Sequence, residues 1–150
     1  MSETEETLAV EVWRGGADGA FARFTVPRRP NQTVLDVVSH IQRHLDPSLS
    51  YRFACRVGMC GSCAMTVNGR PRWTCRTHVD RVAPDGRLEI APLAHLPIVR
   101  DLVADMAPFF DKWAAVDGRF HGTATRRDPF ARVRPDDPRR RRADAGIECI

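Results

Sequence analysis

Four of the five cysteines in this 150-residue chain lie close together, and their spacing constrains the chain more than any other feature. They follow the pattern C-x4-C-x2-C-x11-C, which is formed by Cys55, Cys60, Cys63 and Cys75. The first three share one tight loop, in which Gly58 and Gly61 permit sharp turns. An Asn68-Gly69 turn can return the chain so that the fourth lies beside that loop. The pattern therefore predicts four thiolates that converge on one site.

This spacing is typical of plant-type ferredoxins, in which four cysteine thiolates hold two irons. Structural zinc usually takes two short cysteine pairs set well apart, and an x4 step followed at once by x2 fits that poorly. Disulfides agree poorly with the acidic start of the chain, residues 1–6, which lacks the features of a secretory signal. We therefore predict a 2Fe-2S cluster, with zinc, disulfides and unrelated buried thiols as the alternatives.

The residues around the cysteines are predicted to offset the negative charge of such a cluster. A loop that turns at glycines aims backbone N–H groups inward, and three arginines lie close by in sequence: Arg52, Arg56 and Arg76. We assign no catalytic residue, because the protein would only place and tune the cofactor. The five histidines are scattered and are predicted to be surface or packing residues: His40, His44, His78, His95 and His121.

Hydrophobic periodicity predicts a small α+β domain that ends near residue 95. Apolar residues alternate at residues 8–12, and after a glycine-rich turn residues 21–26 are predicted to be the returning strand of a β-hairpin. From Thr33 the spacing becomes that of a helix, with Thr33 as its N-cap and Asp46-Pro47 as its stop. The remaining strands are predicted in three segments, residues 64–68, 72–75 and 87–91.

A second region, residues 96–150, is predicted to begin with a helix. Apolar residues recur at helical spacing from residue 99 to residue 113, and Pro108 inside this run is expected to kink or break the helix. We predict that the aromatic residues near its end lie in a core or at a partner interface: Phe109, Phe110 and Trp113.

The net charge of +4 is concentrated in this second region. Residues 119–142 contain nine Arg against three Asp, whereas acidic and basic side chains balance in residues 1–118. Residues 118–146 are therefore predicted to be a linker that becomes ordered on docking. Nucleic-acid binding by the arginines at 139–142 is the weaker interpretation, because no aromatic residues are interleaved with them.

The sequence also gives expectations about location. No stretch reaches the roughly 18 to 20 apolar residues that a membrane-spanning helix needs, so we expect no direct membrane span and any membrane contact through a partner. The start of the chain lacks a basic segment followed by an apolar one, which predicts a cytosolic location.

Three segments of the chain resemble the iron–sulfur subunit of succinate dehydrogenase and fumarate reductase. They are Cys55 to Met65 with the following Val67-Asn68-Gly69, then Pro97-Ile-Val-Arg-Asp-Leu-Val103, and finally Gly146-Ile-Glu-Cys-Ile150. The segments occur in the order and spacing of that family, and the resemblance extends from about Leu8 to the last residue.

This resemblance implies a β-grasp 2Fe-2S ferredoxin domain at residues 1–95. In it Cys55 and Cys60 would hold one iron, and Cys63 and Cys75 the other. The cluster would take electrons from an FAD-containing flavoprotein subunit that interconverts succinate and fumarate. The complex would lie on the cytoplasmic side of the inner membrane, with this chain held there peripherally by its partner subunits.

The resemblance also implies a second, α-helical ferredoxin domain at residues 96–150. In the family that domain carries 4Fe-4S and 3Fe-4S clusters and passes electrons to quinone at a membrane-anchor subunit. Cys149 would be the first ligand of the 4Fe-4S site, and we expect the domain to be incomplete on this chain because the other ligands would follow Ile150. The alternative is a free-standing plant-type ferredoxin that serves a reductase or oxygenase.

Overall fold

The fold is known from a computed structural model, which describes residues 6–116, residue 127 and residues 136–143. The chain divides into two compact units, Met1–Phe109 and Phe110–Ile150. The first unit contains a five-stranded sheet: β1 Thr7–Arg14, β2 Ala20–Pro27, β3 Ala64–Val67, β4 Arg70–Trp73 and β5 Arg87–Ala91. The first unit also contains the four clustered cysteines.

The strands lie in the order β2-β1-β5-β3-β4 across the sheet. All neighbours pair antiparallel except β1 and β5, which are parallel. A parallel pair cannot be joined by a tight turn and needs a crossover connection. Here the chain between β1 and β5 contains the main helix, the cysteine loop and the β3–β4 hairpin, so the cysteines lie within the crossover.

The main helix, α1 Val34–His40, packs its apolar side chains into one core with the sheet. Thr33 caps it, because Thr33 Oγ1 accepts the Asp36 N–H at 3.2 Å while the Asp36 carboxylate accepts the Thr33 N–H at 2.9 Å. A π turn, Ile41–Leu45, follows α1 directly. The largest fully buried side chains of this core are Leu8, Val10, Val12, Val26, Val34, Val37, Val38, Ile41, Met65, Leu88 and Ile90.

Three shorter elements complete the first unit. A 3-10 turn, Thr74–Arg76, follows β4, and the short helix α2 Val79–Val82 precedes β5. A small hairpin of β6 Ile98–Arg100 and β7 Val103–Ala104 comes after the sheet. Leu102, in the turn of this hairpin, is 4% exposed and belongs to the main core. The hairpin is therefore packed against the rest of the unit.

Asp101, in the same turn, ties this hairpin to two other segments. Its carboxylate is 1% exposed and accepts the Gly15 N–H at 2.7 Å, Arg14 Nε at 3.2 Å and the Ser50 N–H at 2.9 Å. Burial raises the pKa of Asp101, but these hydrogen bonds outweigh burial and leave the pKa below its ordinary value. The ionised carboxylate thus joins the hairpin to the β1–β2 turn and to the chain that enters the cysteine loop.

Two helices complete the described structure, α3 Ala107–Ala115 and α4 Pro138–Ala143. Neither they nor any other helix in the described part of the chain is long and apolar enough to span a membrane. The arginines at 139–142 lie in α4, inside the segment that the sequence predicts to be a linker.

The α+β class and the ferredoxin-like arrangement are confirmed, whereas the helix predicted from residue 99 is wrong. That segment forms the β6–β7 hairpin, and the helix begins only at Ala107. Pro108 does not kink the helix, because it lies in the first turn, where its missing N–H has no intrahelical acceptor to lose. The first compact unit extends to Phe109, past the predicted boundary at residue 95, and an incomplete iron–sulfur domain after that boundary stays a prediction.

Two smaller differences also bear on the site. The strand predicted at residues 72–75 ends at Trp73, so Cys75 lies in the 3-10 turn. The predicted end of the helix at Asp46-Pro47 agrees with the structure, because Asp46 is the C-cap of the π turn. The aromatic residues of α3 are not core residues, since their exposed fractions are 41% at Phe109, 56% at Phe110 and 42% at Trp113, and their place at a partner interface stays a prediction.

Candidate metal centre

The β3–β4 hairpin brings two of the predicted ligands together. Ala64 in β3 pairs with Trp73 in β4, so Cys63 just before β3 lies beside the turn that contains Cys75. The Thr74 hydroxyl fastens this arrangement by donating to the Cys63 carbonyl at 2.8 Å. The structure thus joins residues twelve apart in sequence, as the Asn68-Gly69 turn predicts.

Cys63 and Cys75 form a buried pair, which we call the inner pair. They are 3% and 8% exposed, and the Cys75 N–H donates to Cys63 Sγ at 3.5 Å. Burial raises the pKa of Cys75 and the neighbouring Cys63 thiol raises it further, while the Gly58 N–H lowers it. A thiol in this environment holds its proton until a cation replaces it, so the inner pair is suited to bind metal.

Cys55 and Cys60 form the second pair, which we call the outer pair. Cys55 Sγ accepts three backbone N–H groups, from Val57 at 3.4 Å, Met59 at 3.3 Å and Cys60 at 3.4 Å. These donors lower the pKa of Cys55. Cys60 Sγ accepts the Cys55 N–H at 3.5 Å, and a bond from the Ser62 hydroxyl is the largest of the effects that lower the pKa of Cys60 to about 6. Cys60 is therefore prepared to be ionised near neutral pH, and the N–H donors favour the thiolate form of Cys55 as well.

Gly58, in the loop between Cys55 and Cys60, brings that loop into contact with Cys75 of the inner pair. Its φ is +74°, in the left-handed region, and its N–H faces the Cys75 sulfur. A Cβ at this position would lie 2.9 Å from Cγ of Arg76, so the site has no room for a side chain. Gly61 also has a positive φ, of +69°, which turns the loop again before Cys63.

Backbone N–H groups, rather than arginines, approach the sulfurs. Arg52 Nη1 donates to the Ala104 carbonyl at 3.0 Å, and the Arg56 guanidinium lies 5.0 Å from the centroid of the Phe53 ring. Arg76 approaches the loop with its aliphatic Cγ. The N–H groups predicted to offset the negative charge are thus in place, but Arg52 and Arg56 make other contacts.

The donor set consists of two cysteine pairs. Within residues 6–116, 127 and 136–143, no group of three or more Cys, His, Asp or Glu side chains is arranged to hold a single metal ion. The two pairs lie close enough for the charge of Cys55 to raise the pKa of Cys75. Two thiolate pairs are what the two irons of a 2Fe-2S cluster need, whereas a structural zinc needs four ligands around one point.

The predictions for the fifth cysteine and for three of the histidines have the following outcomes. Cys149 and His121 lie outside the described residues. His40 and His44, predicted to be scattered, have ring centroids 4.7 Å apart, because the end of α1 and the π turn place them together.

Sequence reasoning missed three contributors to this centre. Ser62 lies between two ligands and lowers the pKa of Cys60, which the Cys-Gly-Ser-Cys run could have suggested. The Gly58 N–H was expected to point inward, but its specific partner Cys75 depends on the loop's φ angles. Asp101 lies in a segment that the periodicity assigns to a helix, so its hydrogen bond to Ser50 gave no sequence signal.

The match to a known family agrees with this geometry. Residues 9–111 match the family described as the 2Fe-2S iron-sulfur cluster binding domain, and the chain belongs to that family. The predicted 2Fe-2S cofactor is confirmed at the level of this family. The assignment of Cys55, Cys60, Cys63 and Cys75 as its ligands remains a prediction that the donor set supports.

Curated relatives narrow the resemblance. The fumarate reductase iron-sulfur subunit of Mycobacterium tuberculosis is 35% identical, over 73% of this chain and 49% of the relative. That of Haemophilus influenzae is 41% identical, over 62% and 36%. The succinate dehydrogenase iron-sulfur subunit of Paracoccus denitrificans is 35% identical, over 78% and 44%. The resemblance to these subunits is confirmed, and the chain spans about half the length of such relatives or less.

Solved structures agree. A chain of the Mycobacterium smegmatis Sdh1 complex in the apo form matches with a TM-score of 0.75 and 28% identity, over 98% of this chain and 61% of that one. A hypothetical protein from Helicobacter pylori matches with a TM-score of 0.55 at 14% identity, which indicates a shared fold alone.

Proposed function

We propose that this chain carries single electrons as part of the iron–sulfur subunit of a succinate dehydrogenase or fumarate reductase. The observation that carries the proposal is the arrangement of the four cysteines. The inner pair is buried, the outer pair is bonded to backbone N–H groups, and both lie in the crossover between β1 and β5. Their four residues, Cys55, Cys60, Cys63 and Cys75, would hold the cluster. A bound 2Fe-2S cluster supplies one-electron redox chemistry.

The residues of this chain bind the centre, shield one side of it from water and leave the other side exposed. The N–H groups of Val57, Met59 and Cys60 stabilise negative charge at Cys55, and such donors favour the reduced state of a cluster. Burial of the inner pair excludes water from one side. On the other side Cys60 is exposed and Met59 is 82% exposed, so a redox partner can approach there.

The partner that we propose is an FAD-containing flavoprotein subunit, with quinone reached through a membrane-anchor subunit on the cytoplasmic side of the inner membrane. The names of the relatives and the likeness to a chain of the Sdh1 complex support this proposal. We assign succinate or fumarate chemistry to the flavoprotein, because the described groups at this centre are thiols, N–H donors and the hydroxyls of Ser62 and Thr74. The 4Fe-4S and 3Fe-4S clusters, with Cys149 as first ligand of the former, belong to the same proposal.

Anaerobic purification with iron and sulfide assay tests the cofactor. We expect about two irons and two sulfides per chain and a rhombic EPR signal after dithionite reduction. Cys75→Ser should lose both, whereas the matched control Cys149→Ser should keep both, because the 2Fe-2S site does not use Cys149. One zinc per chain in place of iron would contradict the proposal.

Association with an FAD-bearing subunit tests the assignment to a complex. The full chain with its cluster should form a stable complex with such a subunit and accept electrons from its reduced flavin. A chain that keeps its cluster but binds no flavoprotein would instead support the free-standing ferredoxin.

A further inference from the structure

A polar pocket of about 290 Å³ lies beside the cysteine loop, between the start of α1 and the π turn. Five of its lining side chains are cations or can become cations, and only one is a carboxylate: Arg29, His40, Arg43, His44, Arg56 and Asp36. The volume is small for an organic ligand of drug size and suits an ion or a compact metabolite.

The positive charge of this pocket is not balanced by neighbouring side chains. None of the ion pairs within the described residues involves Arg29, Arg43 or Arg56. The Asp36 carboxylate already accepts the Thr33 N–H at 2.9 Å and the Thr33 hydroxyl at 2.7 Å, in the N-cap of α1. Three guanidinium groups that have no carboxylate partner in the described part of the chain repel one another around one concave surface, and a bound anion would relieve that repulsion.

Two histidines add ionisable groups to the same surface. The π turn places His44 against His40, with ring centroids 4.7 Å apart. Burial lowers the pKa of His40, and the charges of His44 and Arg29 lower it further. Like charges are therefore crowded here, which is the condition under which an anion binds favourably. π turns of this kind occur frequently at functional sites.

Arg56 connects the pocket to the cysteine loop. It follows Cys55 directly, and its φ of +59° makes it part of the bend of that loop. Its guanidinium lies over the Phe53 ring and also lines the pocket. An anion paired with Arg56 would therefore place negative charge next to the first predicted ligand.

We propose that this pocket binds a small divalent oxyanion, such as sulfate, phosphate or a dicarboxylate, and that its occupancy is felt at the cysteine loop through Arg56. The first half of the proposal stands on the pocket alone. The second half rests on the proposed 2Fe-2S function.

Sulfate is the appropriate probe, because its charge does not change near neutral pH. Calorimetric titration of the full chain with its cluster, at constant ionic strength, should detect one saturable site. Arg43→Gln should weaken binding about fivefold, which corresponds to loss of one partly exposed ion pair. The matched control is Arg23→Gln, since Arg23 is an exposed arginine that pairs with Glu11 outside the pocket, and it should change the affinity by less than about twofold.

His40 gives a second readout. Burial lowers the pKa of His40 and the nearby His44 and Arg29 lower it further, so His40 gains charge only when the pH falls below its ordinary range. The other charged or ionisable groups on this surface are Arg29, Asp36, Arg43, His44 and Arg56. Sulfate should bind more tightly at about pH 5 than at about pH 8, and His40→Gln should reduce this pH dependence while leaving binding at the higher pH nearly unchanged.

The link to the loop is tested by redox titration. Sulfate should lower the reduction potential of the loaded chain, and by linkage the oxidised form should bind sulfate more tightly. Arg56→Gln should remove that shift while preserving the EPR signal. Sulfate that displaces an FAD-bearing subunit would identify the natural oxyanion as a carboxylate of that partner, and undisturbed association would identify a free anion.

Different results would refute the two halves of the proposal. Absence of saturable sulfate binding, or equal weakening by Arg43→Gln and Arg23→Gln, would refute the pocket as an anion site. Saturable binding with an unchanged potential would refute the link through Arg56. Failure of the 2Fe-2S proposal is distinguishable from both, because the chain would then contain no iron and would still bind sulfate.

Discussion

The pKa shifts have opposite directions in the two cysteine pairs. In the outer pair, Cys55 and Cys60, hydrogen-bond donors lower both pKa values, and Cys60 remains exposed. In the inner pair, Cys63 and Cys75, burial and proximity raise the pKa of Cys75. Cys60 is thus ready to ionise before a metal arrives, whereas Cys75 ionises in exchange for one.

This difference follows from the positions of the pairs in the fold. The outer pair lies in a loop whose N–H groups are not engaged in a sheet and are free to turn toward sulfur. The inner pair lies at the end of the β3–β4 hairpin, where Leu35 of α1 packs against it. A site made of one pair of each kind has one side exposed to solvent and one buried side anchored to the core.

Replacement of Gly58 should have the largest effect, because Gly58 bridges the two pairs. Gly58→Ala would combine a strained positive φ with a Cβ contact of 2.9 Å to Arg76, and would move the N–H that faces Cys75. We expect a loss of about 2–3 kcal/mol in unfolding free energy and most of the bound iron.

The matched control for Gly58→Ala is Gly69→Ala. Gly69 has nearly the same φ, +75°, but a Cβ there would meet nothing within 4 Å. It should cost only about 1 kcal/mol and keep the iron. Equal effects in the two variants, measured by denaturant unfolding and iron assay, would show that backbone strain alone matters at Gly58.

Replacement of Asp101 should destabilise the segment that leads from Ser50 into the cysteine loop, because the Ser50 N–H donates to the Asp101 carboxylate. Asp101→Asn keeps the size of the side chain but removes the buried charge that accepts three hydrogen bonds, which should cost about 2 kcal/mol. Glu11→Gln, which breaks the exposed pair with Arg23, should cost about 0.5 kcal/mol or less. Hydrogen exchange in residues 50–60 should rise in the first variant only.

The same carboxylate predicts a pH dependence. Because the folded state lowers the pKa of Asp101, its stabilising contribution is complete above the unfolded pKa of about 3.9 and is lost as the pH falls through the folded value. Unfolding free energy measured from about pH 5 downward should therefore fall less steeply in Asp101→Asn than in the wild type. Parallel curves for the two proteins would contradict this assignment.

Thiol reactivity should distinguish the pairs directly in the metal-free chain. Cys60, with a pKa of about 6 and an exposed sulfur, should react with iodoacetamide about tenfold faster than Cys75 near pH 7, after allowance for the lower nucleophilicity of a low-pKa thiolate. The rate at Cys60 should fall only below about pH 6, whereas the rate at Cys75 should still rise above about pH 9. Peptide mass spectrometry at timed quenches measures both rates, and equal rates would remove the distinction between the pairs.

The smallest effect is expected at Met59, an exposed residue of the cysteine loop. Met59 is 82% exposed, so Met59→Gln should change the unfolding free energy by less than about 0.5 kcal/mol and keep the iron content. Its backbone N–H, which donates to Cys55, is retained in this variant. A larger loss of stability would mean that the Met59 side chain supports the outer pair, which its exposure does not suggest.

Local chemistry explains which of these features could be predicted from the sequence. The spacing from Cys55 to Cys75 is a local pattern, and the Asn68-Gly69 turn fixes where the last cysteine returns, so the position of Cys75 beside Cys63 was predictable. The β6–β7 hairpin was not, because its apolar residues also fit helical spacing. Its conformation depends on Asp101, whose partners Gly15 and Ser50 are distant in sequence.

The hydrogen bonds of Asp101 also determine how the cysteine site could be transplanted. A shortened chain that stops at residue 95 would keep every predicted 2Fe-2S ligand, yet Gly15 and Ser50 would lose their acceptor and the core would lose Leu102. Buried donors without partners typically cost about 1–3 kcal/mol each. The smallest portable module for fusion to another redox protein therefore extends through Ala104.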